Sequence, residues 1–91
     1  MYIKKTDLEM YNDSIERAEN NILYMYDYDS KHVLVVNSET KGEYLVTVDY
    51  DYKIVIDCEC PHFIYRLYKK KLPCKHICFA AHKLNFDIQI Q

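Results

Sequence analysis

The chain has one glycine and no tryptophan in 91 residues, and only two prolines. A single glycine, Gly42, excludes the glycine-rich loops that cradle phosphates or dinucleotides, since those need several at fixed spacing. No apolar run approaches the length of a membrane span, so no membrane partner is expected. The opening MYIKKTDLEM lacks the apolar segment of a secretory signal, which points to an intracellular, reducing compartment. No nucleophile elbow is present, and no carboxylates are marked out as a working pair, so neither catalysis nor a small-molecule substrate is expected. Acid is also missing from one long stretch: none lies between Glu59 and Asp87.

That last absence divides the chain. Residues 1–57 hold six Lys/Arg against twelve Asp/Glu, and residues 58–91 hold six against two, so the halves carry −6 and +4 within a total of −2. Such asymmetry suits a module with one basic working face. A length of 91 residues implies a single small domain, 1–91, with a modest core that needs a staple.

The staple is legible in CECPHFIYRLYKKKLPCKH, Cys58 to His76, which holds three of the four cysteines and two of the four histidines. They form two tight pairs, Cys58/Cys60 and Cys74/His76, with thirteen residues between. In a reducing compartment such pairs point to metal rather than disulfides. Three thiolates and one imidazole are a standard tetrahedral set for one structural Zn²⁺. Cys58 and Cys60 follow the alternating YKIVID, and strand residues two apart share a face. Pro61 ends that strand. Pro73 precedes a short helix from Cys74 to about Leu84, whose first turn carries Cys74 and His76 and whose free N–H groups favour thiolates. Cys78, four residues after Cys74, can share its helix face and replace His76 as a ligand, or be a small core residue. His82 is read as a surface or partner-contact residue, His62 as a neighbour of the site or solvent-facing, and His32 has no assigned role.

Cys-x-Cys, a variable loop, then Pro-Cys-Lys-His and a small apolar helix resembles the SWIM zinc finger. The resemblance runs from Glu43–Val48 through Leu84, and its most specific part is Cys58, Cys60, Pro61, Phe63, Pro73, Cys74, Lys75 and His76. It implies that Cys58, Cys60, Cys74 and His76 are the zinc ligands. Two features depart from the family pattern: Leu or Ala is common where Cys78 stands, and the family loop is often less basic.

In chain order, Thr6 and Glu9 form a capping-box pattern that opens a helix over roughly Asp7 to Asn20, the N-terminal region 1–21. Leu8, Tyr11, Ile15 and Ala18 make its buried stripe, and Asp7, Glu9, Asp13, Glu16 and Glu19 its solvated acidic face. Strands are expected at Ile22–Tyr28, His32–Asn37, Glu43–Val48 and Tyr52–Asp57. Their short links favour an antiparallel meander of four strands, or of three with an irregular fourth, over 22–57. Gly42 is the residue available for positive φ in the turn Ser38–Gly42. The strand tyrosines are expected to be half-buried sheet residues. The finger spans 58–84. Its loop His62–Leu72 is partly helical by the spacings Phe63/Leu67 and Ile64/Tyr68. The tail 85–91, NFDIQIQ, is an extra strand or a partner-binding end. The fold class is therefore α+β: an N-terminal helix, a small antiparallel meander, and a zinc-stapled strand–knuckle–helix.

The expected function is a non-catalytic zinc module that binds DNA or RNA. Arg66, Lys69, Lys70, Lys71, Lys75 and Lys83 would meet phosphates, and the interleaved Tyr65 and Tyr68 would stack on bases. The plainer reading of the basic string is a solvated loop balancing an acidic body. The alternative function is a protein-interaction adaptor in a recombination, transposition or regulatory complex, docking through the acidic helix, the His82 side or the tail. The SWIM resemblance favours that role too, because fingers of this type occur in Mutator-like transposases, recombinase-associated partners and chromatin-remodelling ATPases.

Overall fold

The structure, a computed structural model, describes the backbone of residues 1–11 and 23–90, and the side chains of residues 1–8 and 23–90. The expected helix residues 12–20, including Ile15, Ala18, Asp13, Glu16 and Glu19, lie outside the described residues, as do Ile22 at the expected strand start and Gln91. The described part of that helix, Lys5–Tyr11, is wound as a 3-10 helix, and Leu8 is buried as expected.

Alternating β-branched residues build the centre of the fold. Strands β2 (Leu23–Asp27), β3 (His32–Asn37), β4 (Glu43–Asp49) and β5 (Ile54–Cys58) follow β1 (Tyr2–Ile3) and precede β6 (Asp87–Gln89). β2 to β5 form the antiparallel meander that short links dictate. Along β3, Val33 and Val35 are buried while Leu34 and Val36 are half-exposed, the pattern of a sheet covered on one face.

The sheet is larger than the meander. It has six strands in the order β1-β6-β5-β4-β3-β2, because the two chain ends join it. β6 runs parallel to β5, and β1 antiparallel to β6. Met1 and Ile90 exchange main-chain hydrogen bonds, the N-terminal amine donating to the Ile90 carbonyl and the Ile90 N–H to the Met1 carbonyl. The tail is therefore a strand, which engages it in the sheet rather than leaving it as a docking end.

A parallel pair needs a crossover. Here the crossover is the ligand-bearing segment followed by helix α1 (Lys75–Leu84), which packs on β3, β4, β5 and β6. Ile77, Cys78, Phe79, Ala80 and Ala81 are buried in that contact, together with Val46, Val48, Val55 and Ile88. Asn85, at φ 59, ends α1 in the left-handed conformation, and the Phe86 N–H returns to the Ala81 carbonyl.

Two expectations are corrected. Gly42 is not the left-handed residue of its turn; Lys41 is, at φ 62. Gly42 instead leaves room for Tyr44, since a Cβ there would lie 3.2 Å from that ring. Tyr44 of β4 is half-buried as expected, but Tyr24 and Tyr26 of β2 are more exposed, at 49 % and 56 %, because no described element covers their face.

Candidate metal centre

The centre forms where β5 ends and α1 begins. Thr47 pairs with Asp57 but Val48 with Val55, so Ile56 has no partner and bulges from β5. The bulge shifts the alternation by one residue. Val55 and Cys58, three apart, therefore both point to the helix-covered face, and both are buried. Without it Cys58 would face the other side, with Ile54. Cys60 follows two residues later and is buried too. From the other direction, Pro73 feeds Cys74, in extended conformation at φ −86 and ψ 172, directly ahead of α1. His76 then lies in the first turn, 5 % exposed.

The four ligand atoms of Cys58, Cys60, Cys74 and His76 lie within 4.8 Å of one another, and all four residues are buried. They are close enough to bind one metal ion. The Cys74 Sγ to His76 Nδ1 distance is 3.8 Å. Bonds of about 2.3 Å to sulfur and about 2.0 Å to nitrogen give a tetrahedral S···N edge of roughly 3.5 Å, so this edge is close to size. His76 thus turns Nδ1 toward the cluster, and the tilted Tyr44 ring, 5.1 Å away between centroids, braces the imidazole. Backbone donors support the sulfurs: the Cys60 N–H points to Cys58 Sγ and the Phe63 N–H to Cys60 Sγ, both at 3.4 Å.

Without metal, the cluster shares protons unevenly. Cys60 is held far below the ordinary thiol range because the Cys58 thiol, then the Cys74 thiol, hydrogen-bond to its sulfur. The Cys58 thiol is pushed up to about 12, chiefly by that bond to Cys60. Cys74 is also raised, by its bonds to Cys58 and Cys60. Cys58 and Cys74 thus favour their protonated forms, and a metal must displace those protons to bind.

Cys78 lies outside the cluster, fully buried, its thiol pushed up to about 12 by burial. Removing its sulfur should cost about 1 kcal/mol of stability. Cys78→Ala is expected to retain one metal per chain, which metal analysis of the purified variant checks. His62 and His82 are exposed, and His32 pairs with Asp29 at 2.9 Å.

The loop between the pairs is partly helical, with a wide π-type turn at Phe63–Leu67 and a 3-10 turn at Tyr68–Lys70. Phe63 is buried and Leu67 half-buried, as that spacing implies, but Ile64 and Tyr68 remain exposed at 47 % and 44 %. Arg66, Lys69 and Lys70 are exposed, and Tyr65 is 72 % exposed. Lys71 is half-buried, its ammonium 4.1 Å from the Tyr68 ring centroid. Lys83 is exposed with its ammonium 5.6 Å from the Phe79 ring centroid. Lys75, half-buried, lines a depression of about 320 Å³ beside the cluster, with Tyr44, Pro61 and His62.

Sequence reasoning missed the bulge at Ile56 and the braces Tyr44 and Gly42. The solitary glycine was the one signal for the last. No family model, no curated protein and no solved structure matches this chain. The assignment of a metal-binding cluster therefore stands on the spacing of its four ligands and on their convergence in space.

Proposed function

We propose that the chain is a non-catalytic zinc-binding module of the SWIM type, and that it binds nucleic acid through the segment between its ligand pairs. Zinc is favoured by the donor set, because thiolates with one imidazole in tetrahedral array select it over harder ions. Four protein ligands fill the coordination sphere and leave no position for a reactive water, which supports a structural role. The SWIM type is supported by the Cys-x-Cys and Pro-Cys-Lys-His pairs flanking that segment.

The observation that carries the nucleic-acid reading is the exposure of Arg66, Lys69, Lys70 and Tyr65 on one segment anchored at both ends by ligand pairs. Cations there would neutralise phosphates, and Tyr65 offers a ring face to bases. The anchoring lowers the ordering cost of binding, since the segment is held before the ligand arrives. No base-reading pattern is present, so the proposed contact is to backbone and base faces rather than to sequence.

The test is fluorescence anisotropy of labelled single- and double-stranded DNA with the zinc-loaded protein across a salt series. Salt-sensitive binding that Lys69/Lys70/Lys71→Glu loses supports the reading. Absence of binding at low salt refutes it.

A further inference from the structure

Helix α1 covers one face of the sheet, and among the described residues nothing covers the other. The open face carries Tyr24 and Tyr26 at the β2 edge and Tyr2, 53 % exposed, at the β1 edge. Between them lie two depressions of about 650 and 400 Å³. Asp49 and Ile56 line both, so the two adjoin along the open face and are described together as one trough. Its floor is apolar, with Ile54 and the bulged Ile56. Tyr52, 78 % exposed, stands at its wall, and Asp49 and Asp51 supply carboxylates against one cation, Lys31. Asp49 Oδ1 accepts the Asp51 and Tyr52 N–H groups at 2.9 and 3.0 Å, which fixes the turn holding both neighbours. The field at this end is negative. The Tyr50 hydroxyl is raised above its usual range, first by burial and then by Asp27 and Asp29.

We propose that this trough docks an extended segment of a partner protein in which every second residue, those on one side, is in turn a lysine or arginine and an apolar residue. An extended segment presents alternate side chains to opposite sides, so residues two apart face the trough together and meet in turn isoleucine and the aromatic and acidic groups. Guanidinium or ammonium groups gain charge-assisted bonds from Asp51 and a cation–π contact from Tyr52. The charge balance decides against the other occupants. Phosphates would be repelled by the carboxylates, and a second copy laid face to face would bring the same acids together. This inference goes beyond the nucleic-acid reading and does not depend on it, since it uses the opposite charge and the opposite half of the chain.

The experiment uses a short fluorescein-labelled peptide of the repeat Arg-Ser-Leu-Ser, which places arginine and leucine on one side when extended, with a Glu-Ser-Leu-Ser peptide and labelled oligothymidine as controls. The arginine peptide is expected to bind, less tightly as salt rises, and the glutamate peptide is not. Asp51→Asn combined with Tyr52→Ala should weaken binding about tenfold, the loss of one charge-assisted bond and one ring contact. Glu39→Gln removes the same charge outside the trough and should leave affinity unchanged. Asp51 and Tyr52 are exposed, so an unchanged melting temperature in the double variant confirms that binding alone is read. The proposal is overturned if the arginine peptide fails to bind or if Glu39→Gln weakens it equally. It also fails if the double variant abolishes oligothymidine binding instead, or if sedimentation shows a wild-type dimer that the double variant dissolves.

Discussion

Stripping zinc with a strong chelator is expected to unfold at least residues 58–84 and to lower the melting temperature by about 20 °C or more. The size follows from linkage. Metal binding at such a site contributes free energy on the order of 10 kcal/mol to folding, about as much as the whole stability of a small domain. Losing even about 5 kcal/mol shifts a domain of this length by roughly 20 °C or more. The ligand pairs join the end of β5 to the start of α1, so without metal α1 loses that anchor and the seat of Ile77, Phe79, Ala80 and Ala81 on the sheet is weakened. Cys60→Ala and Cys74→Ala should reproduce the effect, with reduced metal content. The pH dependence has a definite sign. Cys58 and Cys74 are raised in the metal-free cluster and must lose protons to bind metal, so affinity rises with pH. Thermal melts with and without chelator, monitored by circular dichroism at two pH values, check both statements. A melting curve indifferent to chelator would mean that the sheet and helix hold without the cluster.

The second large effect concerns the basic segment. If Arg66, Lys69, Lys70, Lys71 and Lys75 each neutralise one phosphate, duplex affinity should fall with salt at a logarithmic slope of about −4.5. That slope corresponds to a loss of roughly 500-fold between 50 and 200 mM salt. Reversing Lys69, Lys70 and Lys71 leaves at most two of these cations, so the slope should flatten to about −2 and low-salt affinity should collapse. Apolar docking would leave both quantities nearly unchanged. The slope therefore separates a phosphate contact from a solubilising loop even if absolute affinity is modest.

Local chemistry made much of this molecule legible from its residues. His32–Asn37 is strand over the expected span because Val33 and Val35 impose the alternation directly. Helix α1 was readable from Pro73 and the apolar spacing after Cys74. The ligands were legible because each pair is local, two residues apart. What escaped was set by partners distant in sequence or by a single inserted residue. β1 is too short for any periodicity and forms because it meets β6, as in the pairing of Ile3 with Ile88, while the tail that holds β6 was legible only as either a strand or a docking end. The bulge at Ile56 leaves no mark in YKIVID, yet it decides which face Cys58 occupies. Strict alternation would have paired the cysteines with each other but placed them away from α1. The tyrosines misled for a related reason: a strand pattern shows that one face is buried, not whether the other is covered.

The most direct test of the central claim is X-ray absorption at the zinc edge on the purified protein, with metal content measured on the same sample. The account predicts one zinc per chain, with a shell of three sulfurs at about 2.3 Å and one nitrogen at about 2.0 Å, and the same spectrum for Cys78→Ala. A four-sulfur shell would place Cys78 in the site and remove His76. A shell containing oxygen would open a position for water and contradict the structural role. A protein that takes up no zinc would remove the staple on which the whole account rests.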